Sequence, residues 1–191
     1  MKKNILTQTA SHTVGPFFGY GLTAEQYNYD FPSIIKPNMR KEGINGIPIC
    51  LTGKVLDGDN NPLNDAMIEI WHADPDGKYG TKTKSGVFGF GRCGTGSNKE
   101  GAYQFKTYKP GSSNDSDPPY VNMIIFARGI QNHLFTRVYF PEDKNLFAND
   151  SLLQQIDSSK HKRLTARSTD EGSYAFDIVL QGDNESVFLD I

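Results

Sequence analysis

From Ile47 onward, the chain is a series of short runs of β-branched and aromatic residues separated by strong turn signals. The two strongest stops are residues 57–62 and 110–119, where Gly, Asn, Asp, Ser and Pro are concentrated. Because Gly and Asn tolerate positive φ, while Pro fixes φ and lacks an N–H donor, a regular strand or helix does not continue through such stretches. This texture predicts an all-β sandwich or barrel.

The predicted secondary structure follows the apolar runs between these stops. The expected strands are residues 49–56, 66–73, 102–109, 121–127 and 134–140, with a closing hairpin formed by residues 174–181 and 186–190. The run 121–127 is almost continuously apolar, so we expect both its faces to be covered and 134–140 to pair with it. Residues 80–99 are predicted to form a long loop. Residues 150–165 are the best helical candidate, with Asp150 or Ser151 as the N-cap.

The first part of the chain departs from this pattern. Residues 1–46 show neither helical nor strand periodicity, which predicts an irregular N-terminal arm followed by one domain over residues 47–191. Two adjacent Phe occur within the arm segment 13–18. Such a pair indicates that the arm docks, either on its own core or on a partner chain.

Composition and charge exclude several classes of function. The 191-residue chain has 20 basic and 22 acidic residues and a net charge of −2, so no nucleic-acid-binding surface is indicated. Its two Cys are too few for a disulfide framework, and its four His include no pair at the spacing of a metal-binding motif. No apolar run could span a membrane, and the basic start lacks the apolar core of a secretory signal. We therefore expect a cytoplasmic protein without a self-contained histidine metal site.

Three residues are candidates for chemistry, and each has a structural alternative. Tyr79 follows an Asp-Pro-Asp-Gly turn and could bind ferric iron as tyrosinate, or could pack its ring on the edge of the fold. Arg128 ends a buried-looking strand and could hold a carboxylate with its planar fork, or could be a solvated arginine. His72 has no other His nearby in sequence, which favours a hydrogen-bonded structural role.

Eight short segments carry a family resemblance. They are residues 13–18 (TVGPFF), 53–55 (GKV), 69–73 (EIWHA), 76–79 (DGKY), 109–111 (KPG), 126–129 (FARG), 136–140 (TRVYF) and 174–178 (YAFDI). In this order they resemble the intradiol ring-cleaving dioxygenases, from about residue 9 to the C-terminus. The resemblance implies a mostly β protein with a β-sandwich core, an irregular arm and one or two short helices. It also implies a non-haem Fe(III), held by two Tyr and two His, at which O2 opens a catechol ring.

Compared with that family, most of the iron ligands are replaced. Tyr79 matches the first tyrosine ligand, whereas Ser113 stands at the place of the second. Tyr120 and Asn122 occupy the places of the two histidines, and Arg137 occupies that of a glutamine. Because this donor set lacks the imidazoles and one anionic oxygen, we predict four vestigial positions and no metal bound by this chain. The resemblance implies that Fe(III) in the holoenzyme is bound by a homologous beta chain.

In two-chain members of the family, the alpha chain closes the active site of the beta chain. The matching positions here are Thr13, Gly15 and Pro16 in the arm, with Arg128 at a strand end. The resemblance implies that they bind substrate, with Arg128 recognising a benzoate carboxylate, and that this chain supplies no catalytic residue. We therefore expect an alpha chain within a higher-order alpha-beta assembly. The alternatives are a single-chain dioxygenase with an unusual iron site and a stand-alone β-sandwich binding module without catalytic activity.

Overall fold

Two β-sheets pack against each other in the computed structural model, which describes residues 12–15, 17–80, 83, 85–97, 99–114 and 116–190. The strands are β1 (Pro48–Leu56), β2 (Met67–His72), β3 (Phe90–Gly94), β4 (Ala102–Tyr108), β5 (Tyr120–Phe126), β6 (Leu134–Tyr139), β7 (Arg167–Asp170), β8 (Ser173–Ala175) and β9 (Ile178–Val179). Helical structure among these residues consists of short 3-10 segments, at Ala24–Tyr27, Thr95–Ser97, Pro141–Asn149, Leu153–Gln155 and Ser158–Arg163. The mostly β fold with a sandwich core is confirmed. None of the described helices is long and apolar enough to cross a membrane.

The first sheet has the strand order β4-β1-β8-β7, with β9 also paired to β1. Strand β1 is antiparallel to β4, and parallel to β8 and β9. Alternate residues of β1 from Ile49 to Val55 are buried, so the strand presents one face to the core. Gly53 permits a close approach on this strand, because a Cβ there would lie 1.8 Å from the carbonyl oxygen of Phe176.

The second sheet has the order β3-β2-β5-β6, and each neighbouring pair is antiparallel. Its inward side chains meet those of the first sheet in one core, which includes Leu51, Ile68, Ile70, Tyr103, Phe105, Val121, Met123 and Ile125. The strand register aligns four outward residues in one row across the other face: Phe90, Trp71, Asn122 and Arg137. This row positions the candidate site.

The five strands predicted between residues 49 and 140 are confirmed to within one residue at each end, and so is the pairing of β5 with β6. The prediction of a loop over residues 80–99 is wrong, because β3 pairs there with β2. Glycine weakens strand propensity, which hid this strand in the sequence. Packing favours glycine here, since a Cβ at Gly91 would lie 2.8 Å from the sulfur of Met39 and would force that side chain to shift.

The prediction of one helix over residues 150–165 is wrong. Two 3-10 segments form instead, separated by Ile156 and Asp157, whose ψ angles of 134° and 129° lie outside the helical region. Ile156 packs on the buried cluster around Tyr139, and this contact takes precedence over helix continuation. The predicted cap is present, since Oδ1 of Asp150 accepts hydrogen bonds of 2.8 and 2.9 Å from two backbone N–H groups of the following turn.

The predicted closing hairpin is also wrong, although its turn forms. Gly182 adopts φ +101°, and its carbonyl oxygen accepts a 2.9 Å hydrogen bond from the N–H of Glu185. The two segments share one backbone hydrogen bond, of 2.9 Å from the N–H of Ser186 to the carbonyl oxygen of Val179. Their strands otherwise pair elsewhere: β8 and β9 lie along β1, and Leu189 bridges to Phe135 of β6. The edge of β1 would otherwise present unpaired backbone groups, so tertiary pairing replaces the local hairpin.

The arm reaches the first sheet before β1 begins. The N–H of Met39 donates to the carbonyl oxygen of Lys106 at 2.8 Å, and the N–H of Lys106 donates to that of Pro37 at 3.0 Å. Earlier in the arm, the ring of Tyr20 contacts those of Phe17, Tyr27 and Tyr29, and Tyr29 also contacts Phe31. Phe17 is 70% exposed, so this part of the arm presents aromatic surface. The boundary between residues 46 and 47 stays a prediction.

Candidate functional site

The turn before Tyr79 is fixed by one buried carboxylate. Oδ1 of Asp74 accepts a hydrogen bond of 2.7 Å from the N–H of Lys78, and Oδ2 accepts one of 2.6 Å from the hydroxyl of Ser85. Burial favours the neutral acid, but these hydrogen bonds outweigh it and hold the pKa of Asp74 below its usual value. Gly77 completes the turn at φ +77°, a conformation that favours glycine. The turn therefore delivers Tyr79 to the outer face of the second sheet.

Tyr79 stacks on Trp71, with ring centroids 5.9 Å apart and an interplanar angle of 26°. Its phenol lies close enough to Tyr120 and Asn122 for hydrogen bonds with both to affect its pKa. Burial, and then the neighbouring Tyr120, raise the pKa of Tyr79 well above its usual value. Tyr79 is therefore a neutral phenol at physiological pH.

A guanidinium lies among these residues. The carbon at the centre of the Arg137 guanidinium is 4.0 Å from the ring centroid of Tyr120, a cation–π arrangement. Nε of Arg137 donates to Oδ1 of Asn122 at 3.3 Å, and Nη1 donates to the hydroxyl of Tyr139 at 3.4 Å. Asp150 is the nearest carboxylate, 3.8 Å from Nη1. Arg137 therefore places a permanent positive charge beside Tyr79, Tyr120 and Asn122.

The structure brings three of the four predicted vestigial positions together. Tyr79, Tyr120 and Asn122 converge around Arg137, while Ser113 is an exposed residue of the neighbouring loop. That loop is attached to the Tyr79 turn, since the N–H of Gly111 donates to the carbonyl oxygen of Asp74 at 2.9 Å. The convergence is explained by the strand register, which sequence analysis did not include.

The donors in this cluster do not fit Fe(III). The amide oxygen of Asn122 already accepts from Arg137, and none of the three converging side chains is an imidazole or a carboxylate. The guanidinium of Arg137 already contacts both the ring of Tyr120 and the amide of Asn122, so it competes with a metal ion for these two side chains. Among the residues that the structure describes, no group of three or more His, Cys, Asp and Glu side chains is arranged to hold a metal ion.

His72, His133 and His161 all have partners outside the Arg137 cluster. His72 is buried on the inner side of β2, with Nδ1 2.7 Å from the carbonyl oxygen of Ala73 and Nε2 2.9 Å from the hydroxyl of Thr107. Burial lowers its pKa, so the ring is neutral. His161 lies near backbone carbonyl oxygens, and His133 stacks on Phe126. The structural interpretation of His72 thus agrees with its surroundings.

A large apolar hollow adjoins the Arg137 cluster. It has a volume of about 660 Å³ and is lined by Trp71, Phe88, Phe90, Asn122, Ile124, Phe135, Thr136, Arg137, Leu152 and Leu189. Within this lining, the ring of Trp71 contacts those of Phe88 and Phe90 edge-on, at centroid distances of 5.4 and 6.0 Å. The sequence contained no signal for this hollow, because its lining comes from six separate segments of the chain.

The arm and the end of β5 form a second candidate site. The N–H of Gly129 donates to the hydroxyl oxygen of Thr13 at 3.0 Å, which places the arm beside Arg128. Gly15 is exposed two residues further along the arm, and Pro16 lies outside the described residues. The Arg128 side chain is 56% exposed and pairs with Asp65 through both Nε and Nη2. Asp65 could not be predicted, because no sequence pattern connects it with Arg128, 63 positions away.

A smaller hollow of about 230 Å³ lies between the arm and the loop after β5. Its lining includes His12 and Val14 of the arm, and Phe126, Ile130 and His133 of the domain. The imidazole of His133 stacks on Phe126 at a centroid distance of 5.5 Å. Sequence analysis gave His12 and His133 no role, because isolated histidines lack a recognisable spacing.

Comparisons with known proteins agree with the fold and the family resemblance. The family model described as Dioxygenase matches residues 26–182. The chain is 38% identical over 194 residues to the protocatechuate 3,4-dioxygenase alpha chain of Burkholderia cepacia, covering 97% of this chain and 98% of that one. It is 34% identical over 157 residues to the beta chain from the same species, covering 72% and 66% of the two chains. The dioxygenase domain of a dioxygenase carbohydrate-binding protein fusion from Streptomyces sp. SirexAA-E is similar in fold, with a TM-score of 0.60, 23% identity and coverage of 76% and 87%.

Proposed function

Because the chain belongs to the intradiol ring-cleaving dioxygenase family, we propose that it is the alpha subunit of a protocatechuate 3,4-dioxygenase. Together with a homologous beta subunit it forms an Fe(III) enzyme that cleaves 3,4-dihydroxybenzoate with O2 to 3-carboxy-cis,cis-muconate. The alpha and beta chains assemble into a higher-order complex, in the cytoplasm. The similarity to both alpha and beta chains supports this assignment.

The position of Arg137 is the observation that carries the proposal. A guanidinium lies among Tyr79, Tyr120 and Asn122, three positions that match iron ligands in catalytic chains of the family. This chain therefore leaves the metal to its partner. Its sequence identity to the alpha chain extends over almost its full length, whereas the match to the beta chain covers less of both proteins.

The contribution of this chain is substrate positioning by the arm and Arg128. The guanidinium of Arg128 binds the carboxylate of protocatechuate through two parallel hydrogen bonds, leaving the diol for the partner. We assign Thr13, Gly15 and Pro16 to substrate binding as well, from the match of their positions to the family. Orientation of this kind lowers the barrier without supplying a proton or an electron. It also favours a substrate with a carboxylate over plain catechol, because an unpaired cation would otherwise face the bound ring.

Asp65 competes with the substrate carboxylate for the guanidinium of Arg128. The pair is exposed, so its net contribution to stability is about 0–1 kcal/mol. A substrate carboxylate can therefore replace Asp65 at low energetic cost.

Co-expression tests the proposal. The chain is produced with a homologous beta chain that carries the paired histidines, and O2 uptake is followed with protocatechuate. We expect an iron-containing complex that consumes O2, and no O2 uptake by the chain alone. A complex that forms no product, or a chain that is fully active alone, would contradict the assignment.

The two alternatives make different predictions in the same assay. A single-chain dioxygenase would contain stoichiometric iron and be active without a partner. A stand-alone binding module would neither form a complex nor restore O2 uptake. The donor set around Arg137 argues against the first, and the near full-length similarity to an alpha chain argues against the second.

A further inference from the structure

The apolar hollow beside Arg137 is not part of the proposed substrate-positioning site, since its lining includes neither Arg128 nor the arm. It lies near the start of β5, at Asn122, whereas Arg128 follows the end of that strand. The extended chain from Asn122 to the strand end at Phe126 alone spans about 13 Å at ~3.3 Å per residue, and Arg128 lies two residues beyond that end. The hollow is therefore separate from the Arg128 site.

The walls of the hollow suit a flat apolar ring. Phe88 and Phe90 each pack edge-on against Trp71, and Ile124 and Phe135 add further apolar lining. Its volume of about 660 Å³ lies within the range of about 300–1,000 Å³ typical of small-molecule sites. Burial of apolar rings in such a space is favourable because it removes both surfaces from water.

One cation lies at the polar end of these walls. Arg137 lines the hollow, and its side chain is 25% exposed. Its Nε and Nη1 bond to neighbours, but no residue that the structure describes hydrogen bonds to Nη2. Asp150 is 3.8 Å from Nη1, and its Oδ1 is already bonded to two backbone N–H groups. Arg137 therefore retains hydrogen-bonding capacity for an anion.

From this arrangement we infer that the hollow is a binding site for a monocyclic aromatic carboxylate, with the ring against Trp71 and the carboxylate on Arg137. The ligand chemistry follows from charge complementarity at one end and aromatic walls at the other. The site requires no metal. It is independent of the Arg128 site, so either could be present without the other.

Trp71 makes the site directly observable, because it is the only tryptophan of the chain. The full-length chain is titrated with benzoate, and the intrinsic fluorescence of Trp71 is recorded. We expect saturable quenching by benzoate, and at least about tenfold weaker binding of benzyl alcohol, which keeps the ring but lacks the charge. No saturable quenching, or equal affinity for the two compounds, would overturn the inference.

Variants locate the bound molecule. Arg137→Gln removes the cation and Ile124→Phe fills the hollow without changing charge, so each should weaken benzoate binding at least about tenfold. Arg167→Gln, the same change at an exposed position of β7 in the other sheet, is the matched control and should leave the quenching unchanged. Unchanged affinity in Ile124→Phe would overturn the inference even if Arg137→Gln failed to fold.

The alpha-beta complex supplies the second measurement. Equilibrium dialysis with labelled benzoate should give one more molecule bound per alpha-beta pair in the wild type than in the Arg137→Gln complex. Equal numbers would show that the partner covers the hollow, and would overturn the inference for the assembled enzyme. Failure of the proposed function would be seen separately, as absent O2 uptake while the quenching of Trp71 persists.

Discussion

Thr13 and Gly129 are joined by a 3.0 Å hydrogen bond from the backbone N–H of Gly129 to the hydroxyl oxygen of Thr13, although 116 positions separate them. The bond attaches the arm beside Arg128. Two groups of residues that the family resemblance identifies separately, one in the arm and one at a strand end, are thus neighbours in the folded chain. We therefore propose that the arm and the strand end act as one substrate-positioning unit.

Replacement of Arg128 should affect binding of carboxylate substrates selectively. In the alpha-beta complex, Arg128→Ala should raise the KM for protocatechuate about 10- to 100-fold, because a charge-assisted hydrogen-bonded pair is lost. The KM for catechol, which has no carboxylate, should change little. O2-uptake kinetics with both substrates check this, and equal losses for the two would remove the carboxylate role. Arg128→Lys should recover the charge but not the paired geometry, giving an intermediate KM.

Removal of the competing carboxylate should have the opposite effect. Asp65→Asn frees the guanidinium of Arg128 from its ion pair, so the KM for protocatechuate should fall a few-fold. The exposed pair contributes only about 0–1 kcal/mol to the stability of the fold, and thermal unfolding should therefore change little. A higher KM in this variant would show that Asp65 helps to orient Arg128 instead of competing with the substrate.

The attachment of the arm can be tested with a hydroxyl deletion. Thr13→Val keeps the shape of the side chain but removes the acceptor of the Gly129 N–H. We expect a several-fold higher KM for protocatechuate at unchanged iron content, since a hydrogen bond of this kind contributes about 1 kcal/mol. Thr13→Ser keeps the hydroxyl and should behave like the wild type. Identical kinetics for the Val and Ser variants would argue against a positioning role for the arm.

The turn before Tyr79 predicts a pH dependence of stability. The pKa of Asp74 is depressed in the folded chain, so its stabilisation is fully present above the unfolded-state value near 3.9 and is lost as pH falls through the folded-state pKa. Asp74→Asn should destabilise the fold by about 1–3 kcal/mol at pH 7. The difference from the wild type should shrink as the solution is acidified below about pH 4. Denaturant unfolding at a series of pH values measures this, and a pH-independent difference would contradict it.

The extent to which the sequence predicted the structure depended on whether the signal was local. The strands through residue 140 are apolar runs between turn residues, and they were found because both signals are local. Strand β3 was missed because Gly91 and Gly94 weaken its local strand signal, while the pairing with β2 that forms the strand is not local. The hairpin failed for the same reason, since β1 competes for its strands.

For the candidate sites, too, the sequence predicted what local patterns determine and not what depends on distant segments. The family resemblance identified Tyr79, Tyr120 and Asn122 one at a time. Their meeting around Arg137 depends on the register of β2, β5 and β6. Asp65 and the hollow around Trp71 could not be predicted, because each is assembled from segments distant in sequence. Local patterns thus give the residue types, and sheet register decides which of them share a site.

Iron content in a matched pair of complexes tests the central claim that this chain leaves the metal to its partner. Tyr79→Phe removes the one phenol that matches a family ligand, and the iron per alpha-beta pair is measured by metal analysis together with the tyrosinate-to-iron charge-transfer band. We predict one iron per pair, with the same band, in both wild type and Tyr79→Phe complexes. Loss of iron or of the band in the variant, or stoichiometric iron in the chain purified alone, would contradict the account.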